Sequence, residues 1–211
     1  MNMKKLSLLL AMAGVALTAQ AQDAAKGKEK AAMCIGCHGI VGYQASFPEV
    51  HKVPMISGQG AKYIVSALNA YKKGERKHPT MKGIAASLSD ADMADLGAFY
   101  EAQGAGKSAD APAAPADVAA LLTKGACASC HGANFSKPID GAYPKLAGQH
   151  GDYLYVALKA YGTTGNPQVG RGNAIMGGQV KQFKKEELKA IANYLASLPS
   201  DLQVVPQSKF R

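Results

Sequence analysis

The sequence predicts an all-α protein made of two tandem copies of one small helical unit, and three observations predict it. The pentapeptide Cys-x-x-Cys-His occurs twice, at Cys34-Ile35-Gly36-Cys37-His38 and at Cys127-Ala128-Ser129-Cys130-His131, and the two copies use all four cysteines of the 211-residue chain. The stretch of chain after each copy also recurs. Tyr63, Ala67, Leu68, Ala70 and Tyr71 return as Tyr153, Ala157, Leu158, Ala160 and Tyr161 at a constant offset of 90 residues. After a short insertion the offset becomes 95, so that Arg76 matches Arg171, Met81 matches Met176, and Leu88 to Tyr100 parallels Phe183 to Leu195. The apolar residues of both copies fall at the spacing of a helix face. Two long repeats are a domain duplication, whereas a solenoid needs shorter and more numerous units.

Cys-x-x-Cys-His is the attachment pattern of a c-type haem, in which two thiols bond the vinyl groups and the adjacent imidazole ligates the iron. The spacing has a physical basis: one turn of chain reaches both vinyls, and the next residue projects over the porphyrin. A zinc ribbon separates its cysteine pairs by roughly 15–20 residues, but here 89 residues lie between Cys37 and Cys127. A dithiol redox motif would stand beside a βαβ pattern, and the sequence contains none. Two covalently bound haem groups are therefore expected, with Cys34, Cys37, Cys127 and Cys130 as the attachment residues.

Residues 1–21 read as a secretory signal, with Lys4 and Lys5, an apolar run from Leu6 to Ala19, and Ala19-Gln20-Ala21 as the cleavage site. The alternative is an uncleaved anchor, but a comfortable span needs about 20 apolar residues. Export predicts a periplasmic protein. The first unit, 22–104, opens with a helix capped by Asp23 that carries the haem motif at its C-terminal end. A second helix runs from about Ala61 to Tyr71. A last helix follows Ser89, with Asp92 completing a capping-box variant, and presents Met93, Leu96, Phe99 and Tyr100 on one face. Residues 105–116 form an Ala/Pro-rich linker. The second unit, 117–211, repeats the plan with Asp117 as cap, a helix from Gly151 to Tyr161, and a last helix from Lys185 to Leu198. Units of this size bury little core alone, so the haem is expected to act as the staple and folding to depend on it.

A low-spin electron carrier needs a second axial ligand, and methionine favours Fe(II). Met176 is the only methionine after Cys130, and it is expected in a Gly-rich loop with Gly172, Gly177 and Gly178. In the first unit Met55, Met81 and Met93 compete. The repeat selects Met81, because Met55 aligns with Lys145 and Met93 with Leu188. His78, three residues before Met81, is a weaker rival ligand and stands where the second unit has Asn173. His51 and His150 have no counterparts in the other unit and are expected in solvated loops. Pro54 and Pro144 follow the two motifs at similar distances, where a carbonyl can accept a hydrogen bond from the axial histidine or simply form a turn.

On Cys-x-x-Cys-His-Gly twice, Phe47 and Tyr143 near Pro54 and Pro144-Lys145-Leu146-Ala147-Gly148-Gln149, and Met81 and Met176 before a final helix, the chain resembles the class I cytochromes c and specifically the dihaem cytochrome c4 family. The resemblance implies two His/Met haem domains packed about a pseudo-twofold axis. It implies His38 and Met81 on one iron, and His131 and Met176 on the other. It also implies soluble or peripherally membrane-associated periplasmic electron transfer with redox proteins as partners: a terminal oxidase, a quinol-cytochrome c reductase or a dehydrogenase. The segment Pro48 to Met55 departs from the pattern by being longer than its second-unit counterpart.

Charge agrees with protein partners. The whole chain is +9, with 10 basic and 8 acidic residues in 22–104 against 11 and 6 in 117–211. Scattered single lysines either steer toward acidic protein surfaces or simply keep the surface soluble. Without tryptophan or basic blocks interleaved with aromatics, no nucleic-acid partner is expected. No catalytic residue is expected. A dihaem peroxidase needs an open iron, and each unit here supplies its own methionine; a gas sensor meets the same objection and would need an output domain. The nearest rival is the cytochrome subunit of a periplasmic dehydrogenase, such as a sulfide-oxidising flavocytochrome.

Overall fold

The computed structural model describes residues 22–107 and 109–206; the secretory signal expected over 1–21 lies outside the described residues. Among the described residues each unit carries five helices. In the first, α1 (Ala24–Lys30) and α2 (Ala32–His38) meet at Ala31, followed by α3 (Ala61–Lys73), α4 (Pro79–Ala86) and α5 (Asp90–Glu101). The second contains α6 (Ala116–Lys124), α7 (Ala128–His131), α8 (Gly151–Gly162), α9 (Ala174–Val180) and α10 (Lys185–Ala196). The expected single N-terminal helix is thus broken in both units before or at the haem motif. Asp23 caps α1 as expected, accepting from the N–H groups of Ala25 and Lys26. Asp117 does not cap its helix: α6 starts one residue earlier, after Pro115, and Asp117 lies in its first turn.

Four short strands add two ladders that the sequence pattern did not reveal: β1 (Gln44–Ala45) with β2 (His51–Lys52), and β3 (Arg76–Lys77) with β4 (Gly170–Arg171). Two residues per strand are too few for a readable alternation. β3 and β4 come from different units and pair antiparallel with Arg76 opposite Arg171. These two residues are equivalents in the repeat, so the pseudo-twofold axis passes between them.

Both units pack in the same way, with the last helix as the hub. α5 receives α1 and α3, and α10 receives α6 and α8. Gly27 is buried at the first of these crossings, where a Cβ would stand 2.1 Å from the Asp95 carbonyl oxygen. One core contains Ile64, Leu88, Met93, Leu96, Phe99 and Tyr100, and the other Phe135, Leu154, Ile191, Leu195 and Leu198. The predicted face of α5 is this buried face. The long segment Pro48 to Met55 supplies β2, which pairs with β1 just before it, and leans across onto α8. The Lys52 N–H donates to Asp152 Oδ2 (2.9 Å), Glu49 pairs with Lys159, and the His51 ring stacks on Tyr153 with centroids 6.2 Å apart. His51 is therefore buried, 5 % exposed, rather than in a solvated loop. His150 is partly buried at the start of α8.

Leu96 is 1 % exposed, so Leu96→Ala should destabilise the protein by about 2–5 kcal/mol in denaturant unfolding. The capping box at α5 gives a second prediction. Asp92 accepts from Lys30 Nζ (2.9 Å) and from the Ser89 N–H (3.0 Å) and hydroxyl (2.8 Å), and these bonds hold its carboxyl down at about 2. A depressed acid stabilises the fold above its unfolded value of about 3.9 and loses that contribution as pH falls through the folded one. Wild type should therefore be more stable than Asp92→Asn at pH 5, and the difference should shrink toward pH 2 in chemical denaturation.

Candidate functional site

The two haem-attachment segments lie on α2 and α7, and all four cysteines are unpaired and partly buried. Burial pushes the Cys34 and Cys127 thiols up. His38 Nδ1 lies 2.8 Å from the Pro54 carbonyl oxygen, and His131 Nδ1 lies 3.2 Å from that of Pro144. A carbonyl only accepts, so Nδ1 carries the proton in both rings and Nε2 keeps its lone pair for a metal. Burial also lowers the pKa of both imidazoles, which favours that neutral form. Of the two readings open for Pro54 and Pro144, the geometry is that of the carbonyl acceptor.

Met81 and Met176 do not sit in loops. Each is the third residue of a short helix, α4 or α9. The reason is local: His78 and Asn173 are N-caps, with the Met81 N–H donating to His78 Nδ1 (3.4 Å) and the Met176 N–H to Asn173 Oδ1 (2.9 Å). His78 thus has a capping task, and its ring also meets Phe47 edge-on at 5.5 Å. Met93 is fully buried in the first core. Met55 follows Pro54, and its backbone is held by the second unit: its N–H donates to Gln149 Oε1 (3.0 Å) and its carbonyl accepts from Gln149 Nε2 (2.8 Å). Among the described residues no three His, Cys, Asp or Glu side chains gather into a metal-holding group, so the two cysteine pairs do not converge on a common site.

A second feature lies on the axis. Arg76 donates to the Tyr63 hydroxyl (3.2 Å) and Arg171 to the Tyr153 hydroxyl (3.0 Å). Each guanidinium also stands over two rings: Arg76 over Tyr63 and Tyr71 at 5.1 and 5.7 Å, Arg171 over Tyr153 and Tyr161 at 5.6 and 5.4 Å. Burial works against both charges, but the surrounding tyrosines more than offset it, and both arginines stay protonated. Among the described residues neither guanidinium has an ion-pair partner. Both line a cavity of about 180 Å³ with Tyr63, Tyr161 and the acidic Glu75. Two cations and phenolic hydroxyls facing one chamber are a donor set for carboxylates, which a haem carries as its propionates. The Tyr100 hydroxyl adds a buried polar atom without a hydrogen-bond partner among the described residues. The residues present thus fit two haem groups.

The Cytochrome c family model matches residues 24–101 and 115–199, one match in each unit. Cytochrome c4 of Pseudomonas aeruginosa is 30% identical over 94% of this chain and 100% of its own length. The chain belongs to the cytochrome c4 family. Among solved structures it is similar to reduced recombinant cytochrome c4 from Pseudomonas stutzeri, with TM-score 0.60 and 28% identity over 84% of this chain and 100% of the other. A protein described as thiosulfate dehydrogenase electron acceptor, from Stutzerimonas stutzeri, is 32% identical over 91% of both chains. As a cytochrome c4 family member the protein carries two covalently bound haem c groups, matching the Cys-x-x-Cys-His pairs at 34/37 and 127/130. It is an electron-transfer protein that works with redox proteins, and not an enzyme.

The arginine pair was visible in the sequence as a repeat but not as a chamber. The glutamines at Gln59 and Gln149 were visible only as the last letters of a repeated Pro-x-x-x-Gly-Gln segment. The signal that could have raised both is polar identity held at a constant offset, which helix packing alone does not require. Arg171→Met should lower holoprotein stability by about 1–3 kcal/mol, the cost of a lost charged hydrogen bond, in denaturant unfolding followed by haem absorbance. Arg171→Lys should recover only part of that loss, because an ammonium lacks the planar fork.

Proposed function

We propose that the protein is a periplasmic dihaem electron carrier in which His38 with Met81, and His131 with Met176, ligate the two irons. The observation that carries this reading is the duplicated histidine geometry. In both units the imidazole after the cysteine pair has its Nδ1 proton engaged by a proline carbonyl, and Nε2 is left for iron. The repeated methionine, third in its short helix in each unit, supplies a soft second ligand. When bound, the haem would supply the Fe(III)/Fe(II) couple, and the chain would contribute ligands, an apolar pocket and charge. The units 22–104 and 117–211, joined by 105–116, are the two domains, and 1–21 is the export signal. Among the described residues no helix is long and apolar enough to cross a membrane.

The cytochromes c4 among the relatives support an electron carrier, and we read its donor as a quinol-cytochrome c reductase and its acceptor as a terminal oxidase or reductase. The two relatives described as thiosulfate dehydrogenase electron acceptors support a second reading, in which a periplasmic dehydrogenase is the donor. Turnover with each candidate donor in a reconstituted chain separates the two.

The ligand set is tested by the near-infrared charge-transfer band that a methionine thioether gives with Fe(III). Wild type should show it, Met81→Ala and Met176→Ala should each lose half of its intensity, and the double variant all of it. An undiminished band in either single variant rules that methionine out as a ligand.

A further inference from the structure

The peptide that holds each axial histidine belongs to one unit, but its other end is held by the opposite unit. In the first unit, the Pro54–Met55 peptide accepts His38 Nδ1 at its carbonyl (2.8 Å) and donates its N–H to Gln149 Oε1 (3.0 Å). In the second, the Pro144–Lys145 peptide accepts His131 Nδ1 (3.2 Å) and donates its N–H to Gln59 Oε1 (2.9 Å). Each glutamine Nε2 closes the bracket, Gln149 on the Met55 carbonyl (2.8 Å) and Gln59 on the Lys145 carbonyl (3.0 Å). Both side chains are almost fully buried, 3 % exposed for Gln59 and 4 % for Gln149. Their orientation is determined by chemistry. Each Oε1 accepts a second N–H, from Gly60 or His150, and each Nε2 faces a carbonyl, so a flipped amide would oppose like groups.

We infer that Gln149 is a positioning residue for the first-unit haem and Gln59 for the second-unit haem, each acting across the domain interface through the peptide that accepts the axial histidine. The inference rests on the assignment of His38 and His131 as iron ligands. Its physics is that of a polarised amide. A hydrogen bond accepted from a peptide N–H draws electron density toward the carbonyl oxygen, which strengthens the bond that this oxygen accepts. A stronger acceptor on Nδ1–H makes the imidazole a better electron donor at Nε2. A better donor stabilises Fe(III), so each glutamine holds the potential of the opposite unit's haem down. The same bond orients the ring, because the peptide plane is fixed at both ends.

The test uses the full-length holoprotein with Gln149→Leu, Gln149→Glu and Gln59→Leu. Each haem is followed by its own hyperfine-shifted NMR signals during a redox titration. At the wild-type midpoint, Gln149→Leu should raise the Fe(II) to Fe(III) ratio of the first-unit haem by roughly two- to tenfold, the range of one hydrogen bond, and move the second-unit haem less. Gln59→Leu should do the reverse. Gln149→Glu keeps an acceptor for the Met55 N–H and should not raise the first-unit ratio. The His38 Nδ1 proton should exchange faster with solvent in Gln149→Leu than in wild type and in Gln149→Glu. Equal shifts at both haems, a shift confined to the mutated unit, or the same rise with Glu as with Leu would overturn the inference while leaving the ligand assignment intact. Absence of axial histidine and methionine signals from the wild-type spectrum would remove both.

Discussion

Arg76 and Arg171 face each other across a pseudo-twofold axis in register with their own repeats, and two like charges so placed repel. The interface is organised around that repulsion. Four tyrosine ring faces surround the guanidiniums, two hydroxyls accept from them, and a chamber between the units is left for anions. Side-chain carboxylates would have neutralised the pair within the protein. Among the described residues neither arginine has an ion-pair partner, so both charges are available to carboxylates such as those a bound haem would carry. Cation–π contacts of this kind contribute about 0.5–2 kcal/mol each, enough to hold the arginines in place while the chamber stays open.

The rest of the interface has the same reciprocal character. Gln59 and Gln149 exchange places across the axis, and each holds backbone of the opposite unit. Gly58 and Gly148, the residues before them, adopt positive φ and press against the C-terminal segment, where a Cβ would lie 2.3 Å from the Asp201 carbonyl oxygen or from Ser200 Cβ. Lys145 then reaches back to the Gly58 carbonyl at 2.7 Å and to Asp201 at 3.2 Å. The asymmetric additions are the β1–β2 hairpin on α8 and the C-terminal segment at Ser57, and both reach this centre, through His51 on Tyr153 and Asp201 on Lys145. They distinguish the units without disturbing the repeat. Each unit has one compact apolar cluster, small for an independent fold, to which a bound haem would add apolar mass.

Much of the fold was legible in the sequence because the helices obey local rules. The Ser89/Asp92 capping box, the Asp23 cap and the buried face of α5 need only residues three or four apart. Some of the errors were also local. Asp117 resembles a cap, but Pro115 starts the helix earlier. Glycines around Met176 suggested a loop, yet Asn173 caps a short helix there, and His78 does the same before Met81. His51 looked solvated because its partner, Tyr153, is a hundred residues away.

By itself the sequence determined the number of haems, the duplication and the residue types available to each iron. Covalent attachment needs cysteines and a histidine at fixed spacing, and a duplication leaves identical letters at a constant offset. Only the tertiary structure decided how the copies face each other. Which ring nitrogen is free, which peptide meets Gln59 or Gln149, and why two arginines share one chamber all depend on groups distant in the chain. Hydrogen bonds and charges act over a few ångströms, and no periodicity in the sequence records which distant residues come that close.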